Sequence, residues 1–114
     1  MINYHKKKFR GYENYDDGDF DQSVIFEFDQ KEDVVKIRFI GDNITLGIGI
    51  GKVVKNGFLT YTYQYISKNL NLNCGICMCR LNLTENGLYK LDEEWETFFP
   101  LKQKGNSSII EILK

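Results

Sequence analysis

The sequence contains no alanine, and it has one proline, one histidine and one tryptophan among 114 residues. Alanine is the strongest helix former, so its absence argues against a helical bundle. The single histidine, His5, leaves no histidine-based arrangement that would specify a catalysed reaction. Ten glycines and 14% aromatic residues favour strands joined by glycine-bearing turns.

Neither sign of charge is in excess, because 15 basic residues oppose 16 acidic ones and the net charge is -1. A nearly neutral chain lacks the basic character of a nucleic-acid-binding protein, so we expect no nucleic-acid partner. The basic residues 6–10 are followed closely by the acidic run 16–21. We interpret both runs as solvated charged segments.

Long apolar runs are also missing, so we expect neither a signal peptide nor a membrane partner. The three cysteines are Cys74, Cys77 and Cys79, an odd number within a short stretch. This spacing does not suit a disulfide framework and is typical of a reducing compartment. The sequence therefore predicts a cytoplasmic protein.

Turn signals divide the chain into eight segments, and two of these signals are the Asn-Gly pairs Asn56-Gly57 and Asn86-Gly87. Most segments alternate apolar and polar residues, which indicates half-buried strands. The segments are residues 4–11, 23–30, 33–40, 44–54, 57–66, 72–83, 87–98 and 106–113. Consecutive antiparallel strands of this number can close on themselves. We therefore predict an all-β fold, a single antiparallel up-and-down β-barrel domain over residues 1–114 with little or no helix. A two-sheet sandwich is the alternative.

Alternation also predicts which side chains face the interior. In the seventh segment Glu93 and Trp95 share the inner face, and in the fifth segment Tyr61 and Tyr63 do. A carboxylate inside a barrel needs hydrogen-bond donors or must keep its proton, and tyrosine hydroxyls can supply those donors. By the same rule we expect an apolar wall formed by Phe26, Phe28, Val35, Ile37, Phe39, Ile110 and Ile112.

An aromatic interior with a few polar groups has two interpretations. Small-ligand sites are built in this way, so we predict a ligand-binding site lined by Tyr61, Tyr63, Cys77, Glu93 and Trp95. The ligand would be a small amphipathic molecule held in the lumen or mouth. The same side chains could instead fill the barrel and satisfy one another. A third hypothesis is a small enzyme that uses Glu93 as an acid or base, and we assign no catalytic residue beyond it.

The fourth segment alternates glycine with aliphatic residues over residues 44–53. Its spacing matches neither a Walker loop nor a Rossmann loop, and a hairpin rather than a helix follows it. If these glycines face outward, the aliphatic residues face inward and the barrel wall is simply thin at this strand. Inward-facing glycines would instead expose a ridge of Ile44, Leu46, Ile48 and Ile50, which would favour a homodimer.

The cysteines raise the question of metal binding. On a strand, Cys77 and Cys79 share one face and Cys74 lies on the other, which rules out a three-cysteine metal clamp. Buried cysteine behaves as a small hydrophobic residue. We therefore predict no metal and no cofactor.

Several short motifs carry a family resemblance, namely Gly57-Phe58-Leu59 with Tyr63, Gly75-Ile76-Cys77, Asn86-Gly87, Leu91, Glu93-x-Trp95, and Gly105 with Ser108-Ile109-Ile110-Glu111. In these residues the chain resembles a group of small bacterial barrel proteins that are often labelled N-acetylglutamate synthase. The resemblance begins near Ser23 and implies a calycin-like or lipocalin-like barrel. An acetyltransferase would need a glycine-rich turn that opens a helix to hold the pyrophosphate of acetyl-CoA. The sequence offers no such unit, so we do not expect amino-acid N-acetyltransferase activity.

Overall fold

The computed structural model describes residues 2–15 and 18–113 of the chain. It contains eight β-strands: β1 (Lys8–Glu13), β2 (Ile25–Lys31), β3 (Val34–Gly41), β4 (Ile44–Val53), β5 (Phe58–Ser67), β6 (Leu72–Leu83), β7 (Tyr89–Phe99) and β8 (Gln103–Glu111). A 3-10 turn, Lys55–Gly57, joins β4 to β5. No helix in the described part of the chain is long and apolar enough to cross a lipid bilayer.

The strands form a closed barrel in sequence order. Each strand pairs antiparallel with the next, and β1 pairs with β8 to close the sheet. The all-β up-and-down barrel predicted from the sequence is confirmed, and the sandwich alternative is wrong. Closure leaves no unpaired sheet edge, which removes a common route to aggregation.

The two Asn-Gly pairs form different turns. Asn56 and Gly57 both have positive φ, at 66° and 81°. At the second pair only Gly87 has positive φ, and the link is closed by a hydrogen bond from the Gly87 amide to the Thr84 carbonyl. The second link is therefore not a type I′ turn, since both central residues of that turn need positive φ.

The interior follows the predicted alternation over most of the barrel. The buried core includes Phe26, Phe28, Val35, Ile37, Phe39, Leu59, Leu91 and Ile109. The prediction failed in β8, where Ile109 rather than Ile110 lies inside. Ile110 is buried but lies outside the core cluster, because it pairs with Lys90 and Arg10 on the outer face. Ile112 follows the end of the strand.

The glycines of β4 face inward because aromatic rings from the neighbouring strands occupy the space beside them. A Cβ atom on Gly47 would lie 2.2 Å from the Phe39 ring, and one on Gly51 would lie 2.4 Å from Cβ of Tyr61. Leu46, Ile48 and Ile50 are exposed as a result. Ile44 does not belong to the predicted ridge, since an irregularity in the pairing between Ile44 and Leu46 leaves Ile44 buried.

Candidate functional site

One end of the barrel opens into a cavity of about 540 Å³. The link between β1 and β2 contributes Tyr15, Asp19 and Phe20 to its rim, and the link between β7 and β8 contributes Pro100 and Leu101. Tyr4, which is fully buried and packs against Phe28 and Tyr89, fills the barrel beyond the cavity. The cavity is therefore open to solvent at one end and closed by packed aromatic rings below.

All five side chains predicted from the sequence line this cavity. Strand β5 supplies Tyr61 and Tyr63, β6 supplies Cys77, and β7 supplies Glu93 and Trp95. Tyr61, Cys77 and Trp95 lie directly opposite one another in the strand pairing, so they form one row across three strands. Their role in ligand binding stays a prediction.

Glu93 is the polar centre of the cavity and is only 3% exposed. Its Oε1 atom accepts hydrogen bonds from Ser107 Oγ at 2.8 Å and from Tyr15 Oη at 2.9 Å. Its Oε2 atom accepts a longer bond from Tyr61 Oη at 3.5 Å. The expected phenol–carboxylate network therefore exists, but Tyr15 is its strongest tyrosine donor.

Burial controls the protonation of this network. It raises the pKa of Glu93, and the hydrogen bonds from Ser107 and Tyr15 lower that pKa by a smaller amount. Burial and the nearby negative charge of Glu93 also raise the pKa of Tyr15 well above its ordinary value. The pKa of Tyr61 is raised well above its ordinary value too, by burial first. The tyrosines thus stay protonated donors, and Glu93 is the group that can change its charge.

The sequence pattern of the family described as Avidin-like protein matches residues 2–112. The chain belongs to the avidin-like family. No curated protein and no solved structure matches it. Membership fits the calycin-like barrel expected from the sequence and supports small-ligand binding. It gives no support to the N-acetylglutamate synthase label or to a bacterial origin.

Two members of the Glu93 network were missed in the sequence. Ser107 faces inward because it pairs with Glu93 in the register of β7 and β8. The expected inner face of β8 contained Ile110 and Ile112, and this choice placed Ser107 outside. Tyr15 lies after β1, beside the acidic run that was interpreted as a solvated segment. Asp16 and Asp17 of that run lie outside the described residues.

A second feature of this avidin-like barrel lies at the inner end of the cavity. Cys77 and Cys79 are buried on the inner face of β6, and their Sγ atoms are 3.7 Å apart. Both sulfur atoms and a carboxylate oxygen of Glu93 lie within 4.8 Å of one another. Cys74 pairs with the exposed Gln64 of β5 and so lies on the outer face, as expected from the sequence. Within the part of the chain that the structure describes, these three clustered side chains could hold a metal ion.

The thiols of this cluster are not activated nucleophiles. The hydrogen bond with Cys79 lowers the pKa of Cys77, but burial and the charge of Glu93 outweigh it and leave the pKa raised. The pKa of Cys79 is raised well above its ordinary value by its hydrogen bond with Cys77 and by burial. A reactive cysteine needs a lowered pKa and solvent access, so neither residue suits nucleophilic catalysis.

Proposed function

We propose that this avidin-like barrel binds a small amphipathic molecule in its open end. The main support for this proposal is the cavity, which combines an aromatic wall with one buried polar cluster at Glu93. Its volume of about 540 Å³ lies within the range of small-molecule sites. A barrel filled by its own side chains would leave no such space.

The wall determines where the apolar part of the ligand would lie. Phe20, Phe39 and Tyr65 pack against one another at the rim, with Phe20 and Tyr65 in edge-to-face contact at 5.1 Å between ring centroids. The partly buried indole of Trp95 lines the cavity beside Cys77. These rings offer a large apolar surface whose geometry is fixed before binding.

The Glu93 cluster determines the polar part of the ligand. Ser107 and Tyr15 already donate to Oε1, whereas Oε2 has only the long bond from Tyr61. A ligand N–H or O–H can replace that long bond at small cost, and the freed Tyr61 hydroxyl can then donate to a ligand oxygen. A cyclic urea such as biotin carries both kinds of group, and biotin is the natural first probe for an avidin-like barrel.

Fluorescence of Trp95 provides the test, because it is the one tryptophan of the sequence and it lines the cavity. We expect biotin or another small amphipathic compound to change its emission saturably. Tyr61→Phe keeps the ring, removes the hydroxyl and should weaken binding. Tyr12→Phe removes a hydroxyl from the exposed Tyr12 instead, which does not line the cavity, and should leave binding unchanged.

Native mass spectrometry of freshly purified protein complements the titration, because it detects a ligand acquired during expression whatever the identity of that ligand. An adduct of small mass that dissociates on activation is the expected result. A protein without any adduct, whose Trp95 emission responds neither to biotin nor to a broad set of small amphipathic compounds, would contradict the proposal.

The enzyme hypothesis has one specific observation in its favour, the raised pKa of Glu93. A general acid or base needs a pKa near the working pH, and burial moves this one in that direction. Glu93→Gln separates the two functions, because it preserves the shape of the side chain and removes the proton transfer. Binding should weaken in the variant, because one of the two acceptor oxygens becomes an N–H donor, whereas any turnover should vanish.

The outer surface supports a further proposal of self-association. Leu46, Ile48 and Ile50 are exposed on β4, and the exposed Met78 lies on β6 across β5. Ile50 alone is 62% exposed. We define these four residues as the outer apolar face and propose that it contacts a second copy of the chain.

A cytoplasmic location stays a prediction, and the three free cysteines agree with it.

A further inference from the structure

We infer that Cys77, Cys79 and Glu93 form a binding site for one thiophilic divalent metal ion, of the Zn²⁺ type, at the floor of the cavity. This site goes beyond the binding of an organic ligand and involves a residue, Cys79, that does not line the cavity.

The distances fit a tetrahedral ion. Two thiolates that bind zinc at about 2.3 Å with a tetrahedral angle are about 3.8 Å apart. The sulfur atoms of Cys77 and Cys79 are 3.7 Å apart in the structure. A carboxylate oxygen of Glu93 lies within 4.8 Å of both, so a small rotation of the side chains would bring three donors to one ion.

The backbone holds the donors in place. Cys77 and Cys79 are two residues apart on β6 and therefore share its inner face, while Glu93 on β7 lies directly opposite Cys79 in the strand pairing. The pair β6 and β7 lies within the closed sheet, so the site is carried by strands rather than by a mobile loop. This preorganisation lowers the entropy cost of binding an ion.

The surroundings of the cluster also suit a bound ion. Ser107 and Tyr15 fix one oxygen of Glu93, and the other oxygen has only the 3.5 Å bond from Tyr61. Hydrogen bonds to the second oxygen of a metal-binding carboxylate are a common means of orienting it. In addition, the Tyr4 hydroxyl is buried without a hydrogen-bond partner among the described residues.

The donor set selects the kind of metal. Two sulfur donors and one oxygen donor favour Zn²⁺ and its soft relatives over Mg²⁺ or Ca²⁺, which prefer oxygen ligands. Three protein ligands leave a fourth position, and Cys77 and Glu93 both line the cavity. That position therefore faces the cavity and can take water or a donor atom of a bound molecule.

Cobalt provides a direct test, because Co²⁺ bound by thiolates shows charge-transfer and tetrahedral ligand-field absorption. We expect reduced, metal-free protein to bind one equivalent of Co²⁺ with these bands, and Zn²⁺ to displace it. Cys79→Ser should weaken the thiolate band by removing one of its two thiolates, and should lower the affinity by at least the roughly tenfold known for loss of an outer-shell partner. Cys74→Ser is the matched control and should keep both the band and the affinity.

A second measurement uses the wild-type chain and so does not depend on whether a variant folds. Zn²⁺ should slow alkylation of Cys77 and Cys79, read by mass spectrometry of peptides, without changing alkylation of Cys74. Absence of the thiolate band, equal affinity in Cys79→Ser, or equal protection of all three cysteines would each overturn the inference. Ligand binding by Trp95 fluorescence is measured separately in chelator, so failure of either proposal leaves the other testable.

Discussion

Ser107 and Ser108 are adjacent in β8 but stabilise carboxylates in opposite environments. Ser107 donates to the buried Glu93 at 2.8 Å, whereas Ser108 donates to Glu13 at 2.9 Å outside the barrel. The pKa of Glu93 is raised, by burial, and the pKa of Glu13 is lowered, mainly by the bond from Ser108 and by Lys90. Replacing each serine by alanine should therefore reduce stability over a different pH range.

The sign of the effect at Ser107 follows from linkage. Because the folded-state pKa of Glu93 lies above its unfolded value of about 4.3, the folded state loses stability as the pH rises from that value through the folded pKa. The bond from Ser107 lowers the folded pKa, so its removal extends that loss to higher pH. The difference in unfolding free energy between wild type and Ser107→Ala should grow as Glu93 ionises.

The charge of Glu93 determines how much unfolding free energy the Ser107→Ala change removes. A buried hydrogen bond contributes about 0.5–1.5 kcal/mol when the acceptor is neutral and about 1.5–3 kcal/mol when it is charged. Ser107→Ala should thus cost about 1 kcal/mol near pH 4 and about 2 kcal/mol once Glu93 is ionised. For a chain of this length, each 1 kcal/mol lowers the melting temperature by about 4 °C.

Urea denaturation followed by Trp95 emission, in buffers that contain a metal chelator, measures these differences. Ser108→Ala is the control, because the pKa of Glu13 is lowered and the stability that Ser108 supports there is lost as the pH falls below about 4.3. Its cost should stay constant above about pH 5. A constant cost for Ser107→Ala across the range, or an equal rise for both variants, would refute the reasoning.

Three further predictions concern other parts of the barrel. In Gly105→Ala the new Cβ would lie 2.5 Å from the Trp95 indole, so the ring should move and its emission should shift. The substitution should lower the unfolding free energy by about 1–3 kcal/mol. Unchanged Trp95 emission would contradict this packing. Ile48→Lys should convert an oligomer to a monomer in light scattering, and a monomeric wild type would exclude the proposed interface. Tyr4→Phe removes a buried hydroxyl that has no hydrogen-bond partner in residues 2–15 and 18–113, so the metal-free variant should unfold at a urea concentration no lower than that of the wild type.

Most of the fold could be predicted because alternation and turn chemistry agree along the chain. Strand β6 begins and ends at the predicted residues, and β4 ends one residue before the predicted limit. Alternation failed in β8, where Ser107-Ser108-Ile109-Ile110 offers paired residues of each kind and fits either register. Pairing with β7 decides that register by placing Ser107 opposite Glu93. Such a choice depends on tertiary contacts and cannot be made from β8 alone.

The candidate site was predictable to the extent that it lies on strands. Tyr61, Cys77 and Glu93 belong to segments with unambiguous alternation, so their inward orientation follows from the period of two residues. Tyr15 lies in the link after β1, where no period applies. Its ring enters the barrel because Gly11 leaves space, since a Cβ there would lie 2.5 Å from the ring. Two aromatic residues, Tyr15 beside the acidic run and Phe20 within it, were the available signal that this link contributes to the cavity.

The energetics of Glu93 favour a functional interior over a merely filled one. Three hydroxyl groups donate to its carboxylate, yet its pKa remains raised, so burial disfavours the ionised form more than these hydrogen bonds favour it. Apolar side chains of similar volume often stabilise a protein relative to such buried polar groups. An inner face that needed only filling would be served as well by apolar residues replacing Glu93 and its donors Ser107, Tyr15 and Tyr61 together. A costly acid beside an open cavity and two buried thiols is better explained by a molecule or an ion that this chain binds there.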